Sequence, residues 1–143
     1  MQTDFLIIGQ GLAGSLIAWE LMQRGCKIIV LDSGNENAST IAAGIINPIT
    51  GMRFVKTADV ETLLPAAVDC YALLSEYFGQ PFYTDKPMFR IFKNETELVH
   101  CKRRLLQADY LDFLGSISRA DRHLAGFSTP FGFIEQNQTG HVL

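Results

Sequence analysis

The chain has 143 residues, of which 48% are hydrophobic and 19% charged, so its composition is that of a globular protein and not of a disordered one. Its formal net charge of −3 gives no electrostatic indication of binding to nucleic acid or to an anionic membrane. No apolar run approaches the ~18 residues that span a bilayer, and the N-terminus carries no signal-peptide pattern, so we expect a cytoplasmic protein without a transmembrane segment.

The first predicted elements are a strand, a helix and a second strand. Phe5–Ile8 is a continuous apolar run closed by Gly9, which is typical of a central strand buried on both faces of a parallel sheet. From Gly11 the apolar residues recur with the helical period, until Gly25 can end the helix. Residues 27–32 then predict a second buried strand, so the three elements form one right-handed βαβ unit.

Residues 33–57 differ from the segments on either side because they are rich in Ser, Asn, Gly and Ala. This composition predicts a loop or a loosely wound helix. The apolar residues that follow recur at helical spacing up to Phe78, which predicts an amphipathic helix. We expect the helix to start near Leu64, since Pro65 is best placed in a first turn.

The remaining sequence predicts an α+β segment. Residues 88–93 alternate as a strand does, residues 94–109 follow as a helix, and residues 131–134 and 140–143 resemble two strands joined by a polar turn. The strand pattern of residues 140–143 has no polar or capping residue at its end, which predicts a longer protein. The change in composition places the expected domain boundary after residue 57, with regions 1–57 and 58–143.

A glycine fingerprint lies between the first strand and the first helix. Gly9, Gly11 and Gly14 form G-x-G-x-x-G, in which the first glycine makes a tight turn, the second lets backbone approach a pyrophosphate, and the third lets the helix lie close to the strand. The backbone amides of Leu12 and Ala13 would then face the phosphates at the positive end of the helix dipole.

An acidic residue ends the second strand, where many dinucleotide-binding folds bind the adenosine ribose. Asp32 can accept hydrogen bonds from both hydroxyls of an adenosine ribose, and a carboxylate at this position disfavours the 2′-phosphate of NADP. Ser33, which follows, is also predicted to bind the cofactor. The fingerprint leaves three alternatives open: an FAD enzyme, an NAD-dependent dehydrogenase and a non-catalytic dinucleotide-binding module.

A second motif separates these alternatives. The fingerprint continues to Gly25 as G-x-G-x-x-G-x-x-x-A-x-x-L-x-x-x-G, and residues 39–48 read Ser-Thr-Ile-Ala-Ala-Gly-Ile-Ile-Asn-Pro. Both stretches resemble the D-amino-acid oxidase family of flavoproteins, which includes glycine oxidases and sarcosine oxidases. The resemblance covers residues 3–57 specifically. It implies that Ser39 and Thr40 contact phosphate or ribose, and that a set of small and apolar residues lines the flavin: Ala42, Ala43, Gly44 and Ile46.

The predicted fold class is therefore α/β, with a Rossmann-like FAD-binding βαβ start followed by an α+β segment of a substrate domain. The resemblance implies a FAD-dependent oxidoreductase that oxidises the C–N bond of an amino acid or another amine, with a small-molecule substrate. No catalytic side chain is identified, since the flavin carries the hydride chemistry itself. An NAD-dependent dehydrogenase would instead show regular strand and helix alternation, which residues 33–57 interrupt.

Other chemistry-bearing residues are interpreted as structural. Residues 102–104, Lys-Arg-Arg, are expected to form a solvated helix face. Arg53 and Lys56 are expected at the surface, with contact to an anionic group of cofactor or substrate as the alternative. His100 and Cys101 are consecutive on a helix and would point about 100° apart, so they are not expected to form a metal site or a catalytic pair. The remaining histidines, His123 and His141, are isolated, and the cysteines form no CxxC pair.

Overall fold

The computed structural model describes residues 2–118 and 126–143. The chain divides into two compact units, Met1–Ala43 and Gly44–Leu143. This division precedes residue 57 because the short strands after Gly44 pair within the second unit. The assignment of residues 1–57 and 58–143 to two functional regions stays a prediction.

The first unit contains the predicted βαβ arrangement. Strand β1 (Phe5–Ile8), helix α1 (Leu12–Gln23) and strand β2 (Ile28–Leu31) follow each other, and a short helix α2 (Ala38–Ile41) lies in the following loop. The two strands are parallel, with Phe5 opposite Ile28 and Ile8 opposite Leu31. Gly25 adopts a left-handed conformation after α1, which confirms its predicted place at the helix end.

The predicted burial of the first strand is wrong for the described residues. Strands β1 and β2 form a two-stranded sheet, so neither of them is central. Ile8 is 82% exposed and Leu6 is 58% exposed. Helix α1 contacts both strands. The side chains of Leu6 and Ile8 share one face of the strand, and no described element covers that face.

The second unit is built from antiparallel sheets and two longer helices. The elements in chain order are β3 (Ile45–Ile46), β4 (Ile49–Thr50), β5 (Val55–Lys56), α3 (Val60–Phe78), β6 (Tyr83–Asp85), β7 (Met88–Ile91), α4 (Glu95–Arg104), a 3-10 turn (Ala108–Tyr110), β8 (Leu114–Ser118), β9 (Phe133–Gln136) and β10 (Gly140–Val142). Strand β10 lies between β3 and β6, strand β9 lies between β7 and β8, and β4 pairs with β5.

Helix α3 starts earlier than predicted, and Pro65 lies in its second turn. The first turn forms on Asp59, whose carbonyl oxygen accepts hydrogen bonds from the amides of Thr62 and Leu63. Asp59 itself has a positive φ of 54°, which turns the chain into the helix. The helix ends where Gly79 adopts the left-handed conformation.

The later elements match the predicted types but differ in their limits and partners. Helix α4 is capped by Asn94, whose side chain accepts the amide of Glu97, and it ends at Arg104 rather than near Asp109. Asp109 instead lies in the 3-10 turn. Strands β9 and β10 both form, but they belong to different sheets.

The core of the second unit joins its sheets to α4. Ile49, Phe54 and Ile134 are completely buried and belong to one apolar cluster. Within the same region the carboxylate of Glu97, only 2% exposed, lies 3.4 Å from the guanidinium of Arg90 and also accepts the amide of Lys93. The Arg90 guanidinium is 4.1 Å from the centre of the Phe54 ring. A buried ion pair thus links β7 to the first turn of α4.

Candidate functional site

The glycine turn of the first unit has the geometry that the fingerprint predicts. Gly9 has a φ of +97°, which favours glycine. A Cβ atom on Gly14 would lie 2.0 Å from the carbonyl oxygen of Gly9, so α1 can approach the strand end only with glycine at this position. A Cβ on Gly11 would lie 3.1 Å from the hydroxyl of Ser39. The glycines therefore let α1 lie close to the end of β1 and let Ser39 lie close to the N-terminus of α1.

The N-terminus of α1 receives a hydrogen bond from a distant residue. Gly11 occupies the N-cap position and has no side chain, so it cannot cap the helix. The hydroxyl oxygen of Ser39 accepts the amide of Leu12 at 2.9 Å instead. A hydroxyl that accepts this bond keeps its own hydrogen for a further acceptor. Two predicted site residues, Leu12 and Ser39, are thus brought together, and Ala13 lies exposed beside them.

Helix α2 holds Ser39 through a capping box that the sequence reasoning missed. The side-chain oxygen of Asn37 accepts the amides of Ser39 and Thr40, and the hydroxyl of Thr40 accepts the amide of Asn37. The same hydroxyl donates to the carbonyl of Asn37 at 2.9 Å. Thr40 therefore has a local structural role. Asn followed by Thr three residues later was the available signal for this cap.

Asp32 connects the end of β2 to the glycine turn. One carboxylate oxygen accepts the amide of Gln10 at 2.6 Å, and the other accepts the amide of Gly34 at 2.8 Å. The bond from Gln10, followed by that from Gly34, lowers the pKa of Asp32 below its ordinary range. Each oxygen retains acceptor capacity for further donors. Ser33 is exposed, and its hydroxyl accepts the amide of Asn35.

The predicted flavin-lining residues are distributed over the two units. Ala42 and Ala43 end the first unit and are exposed. Gly44 begins the second, with a φ of +65° and with its Cβ position only 2.2 Å from the carbonyl oxygen of Val142. The amide of Val142 donates to the carbonyl of Gly44, and Ile46 pairs with Gly140 on β10. Strand packing therefore accounts for the glycine at position 44, and its flavin contact stays a prediction.

His141 lies close to Gly44, although the sequence treats it as isolated. Its Nε2 atom is 3.4 Å from the Cβ position of Gly44. Its Nδ1 atom is buried and has no hydrogen-bond partner among residues 2–118 and 126–143. No sequence signal indicates this position, because it depends on the antiparallel pairing of β10 with β3.

Several residues outside the fingerprint have clear structural roles. The ammonium of Lys56 forms ion pairs with Glu61 and Asp109, and its hydrogen bond to Glu61, followed by that to Asp109, raises its pKa. Its side chain is only 18% exposed, so the prediction that it is solvated is wrong. Cys101 is fully buried, and burial raises the pKa of its thiol to about 12, which makes it a poor nucleophile.

The predicted basic face of α4 is confirmed for two of its three residues. Lys102 and Arg103 are exposed. Arg104 is half-buried because its guanidinium donates to the carbonyl of Arg53 and to the side chain of Gln107. His123 lies outside the described residues.

Neither a metal centre nor a membrane span is found in the described part of the chain. No three His, Cys, Asp or Glu side chains among residues 2–118 and 126–143 are grouped so that they could hold a metal ion. No helix in these ranges is both long and apolar enough to cross a bilayer. The glycine turn with Asp32 and Ser39 is therefore the site that the first unit offers. Its helix N-terminus, acceptor carboxylate and spare hydroxyl hydrogen fit the ADP half of a dinucleotide.

Comparison with known proteins identifies the family of the chain. The family model described as DAO, FAD dependent oxidoreductase, matches residues 4–130. The crystal structure of a glycine oxidase from Bacillus cereus ATCC 14579 has a similar fold, with a TM-score of 0.74 and 24% sequence identity. The match covers 99% of this chain and 41% of the glycine oxidase chain, so this chain spans less than half the length of the glycine oxidase. The predicted cofactor, FAD, is the cofactor of this family, and the chain belongs to the DAO family of FAD-dependent oxidoreductases.

Proposed function

We propose that the protein oxidises the C–N bond of an amino acid or another small amine, with FAD as the electron acceptor. The observation that carries this proposal is the connected turn in which Asp32 and Ser39 both hydrogen-bond to the backbone of residues 10–12. Family membership supports the flavin chemistry. The glycine oxidase with the similar fold supports an amine substrate only by analogy.

The first unit is proposed to bind the ADP half of FAD. Gly11 leaves room for the pyrophosphate at the N-terminus of α1, where the helix dipole favours negative charge. The hydroxyl of Ser39 accepts the amide of Leu12 and can donate its own hydrogen to a phosphate oxygen. Asp32 is proposed to accept the ribose hydroxyls with the lone pairs that Gln10 and Gly34 leave free.

The segment after α2 is proposed to lie along the flavin ring. Ala42 and Ala43 have small exposed side chains, which permit close approach of a flat ring to their backbone. Gly44 precedes β3, and Ile46 lies on β3, which pairs with β10. When bound, the flavin accepts a hydride equivalent from the amine carbon, while the protein orients the substrate and tunes the ring.

The proposal is tested on the full-length protein by its absorption spectrum and by mass analysis of the released cofactor. FAD in near-equal amount to protein supports it and justifies a screen of amino acids and secondary amines for reduction of the flavin and for formation of peroxide. Bound NAD in place of FAD contradicts it. Bound FAD that no amine reduces favours a non-catalytic binding module instead.

A substitution tests the role of Ser39 within the site. Ser39→Ala removes the acceptor of the Leu12 amide and the hydroxyl donor together, so we expect FAD affinity to fall by about tenfold. Ser116→Ala is the matched control, because Ser116 is an exposed serine on β8 in the second unit. Equal FAD affinity in both variants would contradict the proposed phosphate contact.

A further inference from the structure

The second unit contains a cleft of about 240 Å³ that is lined only by cationic and amide or imidazole side chains. We call it the cationic cleft and define it by its lining residues: Arg53, His100, Arg103, Arg104 and Gln107. No carboxylate lines it within the described ranges. The cleft belongs to the second unit, whereas the glycine turn belongs to the first.

Two different parts of the chain bring these charges together. His100, Arg103 and Arg104 lie at i, i+3 and i+4 on α4, so they share one face of the helix. Arg53 comes from the loop between β4 and β5. The guanidinium of Arg104 donates to the backbone carbonyl of Arg53 at 3.3 Å and holds that loop against the end of α4.

The cleft is ordered by contacts that leave donors free. Arg104 is half-buried, its guanidinium lies 5.0 Å from the centre of the Tyr110 ring, and it donates to the side-chain oxygen of Gln107. Because the oxygen of Gln107 is used, its NH₂ group is left as a donor. A guanidinium has five N–H donors, so Arg104 also retains some.

Ordinary helix electrostatics explain only part of this arrangement. Cations at the last turn of a helix interact favourably with its dipole, which accounts for Arg103 and Arg104. That argument does not apply to Arg53, which comes from a loop. Asp109 interacts electrostatically with Arg104, but the carboxylate of Asp109 is hydrogen-bonded to Lys56. Among residues 2–118 and 126–143, neither Arg53 nor Arg103 forms an ion pair, so the positive charge of the cleft is only partly balanced.

We propose that the cationic cleft binds a small phosphate-bearing dianion. Guanidinium groups recognise phosphate oxygens through paired N–H bonds, and Arg is preferred over Lys where such geometry matters. The volume suits a single phosphate group with a small substituent and is too small for a dinucleotide. Free phosphate and a phosphomonoester present the same recognition chemistry. This proposal stands independently of the proposed oxidase activity.

Calorimetric titration of the full-length protein tests the proposal. The probes are inorganic phosphate and glycerol 3-phosphate, with glycerol as the uncharged control and acetate as the monovalent control, all at constant ionic strength. We expect saturable binding of at least one phosphate probe and none of glycerol. Tighter binding of glycerol 3-phosphate would identify a phosphomonoester as the ligand, and tighter binding of inorganic phosphate would identify free phosphate. Absence of saturable phosphate binding would overturn the proposal.

Variants separate the cleft from the general charge of α4. Arg53→Gln and Arg103→Gln each remove one cleft cation, and we expect each to weaken phosphate binding by about tenfold. Lys102→Gln removes the same charge from the same helix, but Lys102 does not line the cleft, so its effect should stay below about twofold. If Lys102→Gln weakens binding as much as Arg103→Gln does, the effect is unspecific attraction and the proposal is wrong.

Discussion

The carboxylate of Asp32 accepts the backbone amide of Gln10 at 2.6 Å, so the end of β2 is hydrogen-bonded to the glycine turn that follows β1. This bond joins residues 22 positions apart. It fixes the carboxylate beside the glycine turn. The acid of the fingerprint thus has a structural role in addition to its proposed contact with ribose.

Replacement of Asp32 by Asn should weaken FAD binding by about tenfold or more, because it removes the charge-assisted acceptor of the Gln10 amide and of the ribose hydroxyls. Titration of the apoprotein with FAD, followed by flavin fluorescence, measures the effect. Asp4→Asn is the control, since Asp4 also accepts a backbone amide in the first unit, from Lys27 near the start of the strands. Equal loss in both variants would show a general effect on folding.

The lowered pKa of Asp32 also predicts a dependence on pH. A carboxylate whose pKa is lower in the folded state stabilises that state above its unfolded pKa, and this contribution is lost as pH falls through the folded value. Because the lowered pKa keeps Asp32 ionised in the folded protein, FAD affinity should also be constant near neutral pH and fall only below the ordinary Asp pKa of 3.8. Loss of affinity at pH 5 to 6 in the wild-type protein, absent in Asp32→Asn, would contradict this expectation.

A comparison of Gly44 with Gly51 tests how closely the backbone of β10 approaches Gly44. Both have a positive φ, of 65° and 66°, so alanine is strained at either position. Only at Gly44 would a Cβ also meet backbone, 2.2 Å from the carbonyl oxygen of Val142, whereas nothing lies within 4 Å of it at Gly51. We expect Gly51→Ala to cost about 1 kcal/mol of unfolding free energy and Gly44→Ala to cost about 1–3 kcal/mol more. Chemical denaturation measures both, and equal losses would show that β10 does not approach Gly44 so closely.

The buried ion pair between Glu97 and Arg90 should be important for folding of the second unit. Glu97→Gln leaves the Arg90 guanidinium, whose side chain is 19% exposed, without its carboxylate partner. We expect a loss of about 3 kcal/mol in unfolding free energy, because the remaining charge is left buried without its counter-ion. Glu95→Gln is the control, since Glu95 is exposed in the first turn of the same helix and should cost less than about 1 kcal/mol. Similar losses in both variants would contradict a structural role for the ion pair.

The sequence predicted features that depend on neighbours along the chain. The turn at Gly9, the helix that follows it and the parallel strand ending at Leu31 all arise from local spacing and period. Features that depend on distant partners were missed. The bond between Leu12 and Ser39 spans 27 positions, and the ion pair between Lys56 and Asp109 spans 53. Neither leaves a periodic signal.

Two further differences between the sequence predictions and the structure also arise from contacts between distant parts of the chain. The apolar run Phe5–Ile8 predicts burial, but burial depends on how many strands and helices surround it, and β2 is its only strand neighbour among the described residues. The net charge of −3 gave no indication of an anion site. Folding nevertheless brings Arg53 next to Arg103 and Arg104, because a loop from one sheet packs against the end of α4. A whole-chain charge therefore does not predict a local electrostatic field.

Cys101 provides a test of packing in the second unit that does not depend on the cofactor, with the other two cysteines as references. Cys101 is completely buried with a thiol pKa of about 12, whereas Cys26 and Cys70 are half-buried. Because the thiolate is the reactive form, Cys101 should resist iodoacetamide at pH 8 in the native protein and react only when the unit unfolds. Mass analysis of peptides after timed alkylation measures each site, with Cys26 and Cys70 as internal references and a urea-unfolded sample as the positive control. Modification of Cys101 as fast as Cys70 under native conditions would show that the contact of α4 with the core opens readily. Protection that disappears in Glu97→Gln would instead show that the ion pair with Arg90 holds α4, and with it Cys101, against the sheet.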